Sequence, residues 1–156
     1  MSNSLRFILA LAIPLAIGSS SAFFTVTGLD SWYQTIQKPS WNPPNWIFGP
    51  VWTTLYIMMG VALFLVWKQQ DQNAAQRTAI LLFAAQLILN FFWSLIFFKW
   101  QQPGWAFAEL AVMWVLIILT IFQFSKLSNT AAWLLVPYIS WVSFAGILNY
   151  TIWKLN

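Results

Sequence analysis

The sequence predicts an all-α integral membrane protein, a bundle of five transmembrane helices with an aromatic, proline-rich lid loop between the first two. Three observations carry this. Of the 156 residues, 60% are hydrophobic and 6% charged, where a soluble domain carries roughly a quarter charged residues. The apolar residues fall into five continuous runs, each near the roughly 20 residues that cross a bilayer as a helix. Short polar turns separate the runs, so 1–156 reads as one transmembrane domain with no room for a soluble one. A closed β-barrel would instead show alternating segments of about ten residues.

The first span, 5–28, opens with Arg6, an apolar run from Phe7 to Ile17, and the small residues Gly18 to Ala22. That pattern also fits a cleavable signal peptide, but apolar character resumes at Phe23 and Phe24 and makes the run long enough to span. Pro14 inside it predicts a kink rather than a break, because neighbouring helices re-satisfy a freed carbonyl.

The loop 29–44 holds Pro39, Pro43 and Pro44, which stiffen the backbone and remove N–H donors. Trp32, Tyr33 and Trp41 give this connector more adhesive surface than a solvated linker uses. A lid over a membrane-embedded pocket is the reading that accounts for both.

In the second span, 45–67, Phe48, Trp52 and Tyr56 recur every four residues and share one helical face. Lys68 to Asn73 make a wet turn. The third span, 77–98, carries Gln86, Asn90 and Ser94 at the same spacing, a polar stripe that faces protein or a cavity rather than lipid. Interhelical glue is the structural alternative. Ala75 and Ala79, spaced as small-xxx-small, hint at close helix contact and a dimer.

Lys99, Gln101, Gln102 and Pro103 precede the fourth span, 104–125. Glu109 is the one acid deep enough to count as intramembrane, read either as an interfacial carboxylate or as a proton or cation relay. Lys126, Ser128 and Asn129 precede the fifth span, 130–153, where Tyr138, Trp141, Ala145, Leu148 and Ile152 share a face with a gap at Ala145. Trp67, Trp100, Trp105 and Trp153 sit at span ends, where indoles favour the interface.

The absence of Cys and His excludes thiolate and imidazole metal sites, disulfides and histidine acid–base chemistry, and no metal site is expected. The net charge of +4 is too dispersed to track a nucleic-acid backbone, so nucleic acid is excluded as a partner. Arg6, Lys68, Arg77 and Lys126 fall on one side of the membrane and Lys38, Lys99 and Lys154 on the other, a bias that leans towards a cytoplasmic N-terminus. A helical bundle suggests a bacterial cytoplasmic membrane, with the outer membrane as the alternative. Leu148, Tyr150 and Lys154 fit the loose sterol-recognition pattern, which apolar helices ending in a base often match.

Four ordered motifs carry a resemblance that runs nearly end to end. They are Trp32-Tyr33 with Lys38-Pro39-Ser40-Trp41-Asn42-Pro43-Pro44; Gly49-Pro50-Val51-Trp52-Thr53-Thr54-Leu55-Tyr56; Gln86-Leu87-Ile88-Leu89-Asn90 followed by Trp93-Ser94; and Pro137-Tyr138, Trp141 and Leu148-Asn149-Tyr150. The chain resembles the tryptophan-rich sensory protein family, which includes the translocator protein once called the peripheral benzodiazepine receptor.

The resemblance implies a homodimeric five-helix bundle that binds flat hydrophobic ligands: protoporphyrin IX and related tetrapyrroles, sterols, and synthetic isoquinoline carboxamides. No cofactor is required. It implies a role as sensor or carrier in porphyrin handling and stress response, with a small proton-coupled exporter or sterol carrier as another reading. The implied pocket falls on Tyr33, Pro43, Phe48, Trp52, Tyr56, Asn90, Trp93, Ser94, Trp141, Ala145 and Leu148. Light-dependent porphyrin breakdown is a further implied activity, with Trp52 and Trp141 as its participants.

Overall fold

A computed structural model describes residues 1–69 and 73–156. Among these residues there is no strand, and five helical stretches are long and apolar enough to cross a membrane: Asn3–Thr35, Asn45–Trp67, Ala74–Lys99, Pro103–Ser125 and Asn129–Leu155. The chain is an integral, multi-pass membrane protein. The part of the second wet turn formed by Gln70, Asp71 and Gln72 lies outside the described residues.

Helix α1 (Asn3–Leu29) starts where the Ser2 hydroxyl accepts the Leu5 N–H. Near its end the Ser31 hydroxyl donates to the Thr27 carbonyl at 2.7 Å, satisfying a last-turn acceptor. Pro14 stays inside one continuous helix. Its missing N–H frees the carbonyl of Ala10, and at that carbonyl the next long helix, α3 (Asn45–Trp67), presents Gly60. A Cβ on residue 60 would sit 2.8 Å from the Ala10 oxygen and 2.9 Å from the Leu11 Cα. Only glycine lets the two backbones meet here.

Between them the single turn α2 (Trp32–Thr35) interrupts the expected loop. Helix α4 (Ala74–Ser94) begins before the expected residue 77 because the Asn73 side chain accepts the Gln76 N–H at 2.9 Å. Its last turn, Leu95–Lys99, widens into a π-helix. The Trp100 N–H donates to the Leu95 carbonyl, and Gln101, with φ 56°, ends the run in the left-handed region.

Helix α5 (Pro103–Ser125) starts with proline at its first position, where no N–H is needed. The fifth span is broken rather than continuous: α6 (Asn129–Leu134), capped by Ser128, gives way at Leu135 to α7 (Val136–Leu155). Pro137 cannot donate to the Trp133 carbonyl and its ring crowds it, which is the cause of the break.

Five alternating spans put the C-terminal end on the same side as the lid. Two hydrogen bonds tie them together there: the Gln37 N–H donates to Asn156 Oδ1 and Asn156 Nδ2 to the Gln37 carbonyl, both at 2.9 Å.

Candidate functional site: a lidded aromatic cavity

The lid holds itself together through its own polar groups. The Tyr33 hydroxyl donates to Asn42 Oδ1 at 2.6 Å, joining the α2 turn to the proline segment. Lys38 Nζ donates to the carbonyls of Tyr33 (2.5 Å) and Ile36 (3.1 Å) and lies over the Tyr33 ring at 4.9 Å. These contacts serve carbonyls at and beyond the end of the short α2 turn, where the helical ladder stops. The lid is then pinned to the bundle by rings: Trp32 packs edge-on against Phe97 at 5.5 Å, Tyr33 against Phe98 at 5.8 Å, and Trp41 against Phe144 at 6.0 Å.

Beneath Tyr33 lies an inner cavity walled by Phe48, Trp52, Trp93, Trp141, Ala145 and Leu148, together with Phe97, Phe98, Phe144, Asn149 and Ile152. With the lid down it encloses about 20 Å³, room for one water at most. Its wall is almost wholly aromatic, with Phe48 edge-on to Trp141 at 6.1 Å and Trp141 tilted on Phe144 at 5.3 Å. The indole N–H of Trp141 is buried and meets no acceptor among the described residues. A buried donor in that state costs about 1–3 kcal/mol until something accepts from it.

A second, outer cavity of about 350 Å³ lies between α1 and α3. Gly18, Ser21 and Thr25 of α1 face Trp52, Tyr56 and Ser94 across it. Phe48 and Trp52 line both cavities; they form the partition between them. The residues expected in one pocket are thus divided. Tyr33, Trp93, Trp141, Ala145 and Leu148 face the inner cavity, Tyr56 and Ser94 the outer one, and Pro43 and Asn90 line neither.

Asn90 lies instead at the centre of a buried hydrogen-bond chain. Its Oδ1 accepts from the Tyr56 hydroxyl, its Nδ2 donates to the Tyr138 oxygen at 3.2 Å, and Tyr138 donates to Gln86 Oε1 at 2.7 Å. The polar stripe of α4 therefore joins α3 and α7 at mid-membrane, the glue reading of that spacing. Trp93 is also engaged: its Nε1 donates to Asn149 Oδ1 at 3.0 Å, and Asn149 Nδ2 donates to the Pro103 carbonyl at 2.7 Å. Ser94 accepts from the Thr25 hydroxyl at 3.4 Å.

Two sequence patterns come apart in three dimensions. Leu148 is buried against the inner cavity, whereas Tyr150 and Lys154 are exposed together, with Lys154 Nζ 5.6 Å from the Tyr150 ring and 4.5 Å from the Trp153 ring. Residues two apart on a helix point to opposite sides, so the sterol pattern forms no single surface. Ala79 is fully buried, and the Ala75 carbonyl accepts from Gln123 of α5 at 3.3 Å. That small-residue pair packs inside the chain and carries no argument for a dimer.

Sequence reasoning missed the contributions of α1 and of the π-turn. Gly18, Ser21 and Thr25 follow a helical face spacing that was legible in the first span. The aromatic pair Phe97–Phe98 had no such signal, because a π-turn rotates side chains off the 3.6-residue register.

Fold and site define a class, a polytopic membrane protein with an aromatic cavity closed by a strapped loop. The model of the TspO/MBR family matches residues 10–154, and the chain belongs to that family. It is 44% identical to the tryptophan-rich protein TspO of Chlorobaculum tepidum, over 97% of this chain and 96% of that one. It is 40% identical to the human translocator protein, over 98% and 89% of the two chains. The tryptophan-rich sensory protein of Cereibacter sphaeroides is 36% identical over 81% of this chain and 78% of its own.

Proposed function

We propose that the protein binds a tetrapyrrole such as protoporphyrin IX in the inner cavity and acts as a sensor or carrier for it in a bacterial cytoplasmic membrane. The observation that carries the reading is the unpartnered Trp141 N–H, set among ring faces under a lid. Ring faces select flat π-surfaces, with each good aromatic pair contributing about 0.5–1.5 kcal/mol beyond area burial. The buried N–H selects a ligand that brings an acceptor, such as a carboxylate or carbonyl. Porphyrins with carboxylate edges satisfy both conditions, and so do aromatic carboxamides. With neither His nor Cys in the chain, a metal-free porphyrin suits the cavity better than haem.

A ligand of this size needs several hundred Å³, so occupancy requires the lid to lift and the partition to turn. The lid opens by parting its proline segment from the α2 turn, which stays on Phe97 and Phe98; this breaks Tyr33–Asn42, the Gln37–Asn156 pair and the Trp41–Phe144 contact. Lys38 serves lid carbonyls while the lid is closed, and its ammonium becomes available to an anionic ligand edge when these open.

The test is a titration of the purified protein with protoporphyrin IX, read by tryptophan fluorescence. Saturable quenching is expected, weakened by Trp141→Phe and abolished by Ala145→Trp, which fills the cavity. A wild-type signal indifferent to porphyrin overturns the reading. A second reading, light-dependent breakdown of the bound porphyrin, is favoured by the presence of Trp52 and Trp141 on the same cavity wall. It requires faster porphyrin loss under illumination with wild type than with Trp52→Phe at equal occupancy; equal rates exclude it.

A further inference from the structure

Glu109 lies outside the lidded site. It stands six residues into α5, about 9 Å along the axis from Pro103, and helical side chains lean towards the N-terminus, here towards the lid-side membrane surface. Both of its carboxyl oxygens are buried, and neither has a hydrogen-bond partner among the described residues. The bases on this side of the membrane are engaged elsewhere: Lys38 on lid carbonyls, Lys99 over the Phe24 ring at 5.2 Å, and Lys154 over Trp153. No side chain among the described residues answers this carboxyl.

What does surround it is a groove of about 520 Å³ on the flank of the bundle, between α5 and the π-turn, lined by Ile96, Trp100, Trp105, Ala108 and Val112. The π-turn sets Ile96, and Trp100 just past its end, in the groove's wall. Val112, Trp100 and Trp105 are exposed on the lipid-facing side, and the two indoles mark the depth of the headgroup region. A neighbouring cavity shares Gln102, Trp105 and Ala108 with the groove and continues towards Gln101 and Asn156, a polar exit at the membrane surface.

We infer that this groove is a site for a membrane lipid with a primary ammonium headgroup, an aminophospholipid of the phosphatidylethanolamine type, anchored by Glu109. An ammonium brings three N–H donors and the counter-charge to a carboxylate that otherwise stands unpaired at a depth where that is costly. A choline headgroup has the charge but no donor. An uncharged glycerol headgroup has a donor but no charge. The acyl chains lie along Ile96 and Val112, and the phosphate faces the amides of Gln101 and Gln102.

The test is native mass spectrometry of the purified protein. It is loaded with an equimolar mixture of phosphatidylethanolamine, phosphatidylcholine and diacylglycerol whose chains differ in mass. Wild type should retain phosphatidylethanolamine over either competitor by about tenfold, the worth of one hydrogen bond to a charged group. Glu109→Gln should erase the preference. Val112→Trp, which fills the groove from an exposed position and leaves the carboxyl untouched, should reduce it to the same extent with unchanged helical circular dichroism. Equal retention of phosphatidylcholine or diacylglycerol by wild type overturns the proposal, as does a preference that survives either substitution. If Glu109→Gln does not fold, Val112→Trp alone decides.

Discussion

Gly18 is a glycine because the ring of Tyr56 occupies the space its side chain would take. The same tyrosine donates to Asn90, so one α1 position holds the register of a hydrogen bond between α3 and α4. Gly18→Val should push the ring off Asn90 and cost about 1–3 kcal/mol by overpacking. Thermal unfolding in detergent measures this, and the penalty should shrink in a Tyr56→Leu background, where the two sites couple.

Asn149 answers two buried groups at once, the Trp93 indole and the Pro103 carbonyl. Asn149→Leu strands the buried Trp93 N–H, while the Pro103 carbonyl keeps its place in the α5 ladder, and should cost about 1–3 kcal/mol. Asn149→Asp keeps the acceptor for Trp93 but sets a second oxygen against the Pro103 carbonyl in a buried site, so its unfolding midpoint should also fall below that of wild type.

Lid opening should depend on the Tyr33–Asn42 bond. Tyr33→Phe keeps the ring contacts with Phe97 and Phe98 and removes one hydrogen bond, worth about 0.5–1.5 kcal/mol. Porphyrin release, followed by recovery of tryptophan fluorescence in a stopped-flow competition, should accelerate by roughly two- to tenfold.

The two cavities make separable predictions. Ala145→Trp fills the inner one and should abolish porphyrin quenching. Ser21→Leu fills the outer one, which the ligand needs once Phe48 and Trp52 turn, and should weaken the quenching without abolishing it; quenching unchanged by Ser21→Leu would confine the ligand to the inner space. The reverse pattern would assign the ligand to the space between α1 and α3.

How much of this was legible beforehand follows from periodicity. The five spans stood out because hydropathy over twenty residues does not depend on tertiary context, and the faces of Phe48/Trp52/Tyr56 and Gln86/Asn90/Ser94 followed from the 3.6-residue repeat. What spacing could not reveal was partner choice. A polar stripe looks the same whether it serves a ligand or its own bundle, and Asn90 serves the bundle while Trp141, an aromatic, keeps the unspent donor. The π-turn was hidden too, since residues 95–98 read as the plain apolar end of the third span and Lys99 as the start of the polar turn. Pro137, by contrast, was a visible break signal within the fifth span.

Phe48 and Trp52 separate an inner space too small for any large ligand from an outer one of about 350 Å³. The space this bundle can open is therefore set by two side-chain rotamers rather than by helix spacing. A smaller residue at position 48 should join the two spaces into one, at the loss of the ring contact between α3 and Trp141 of α7.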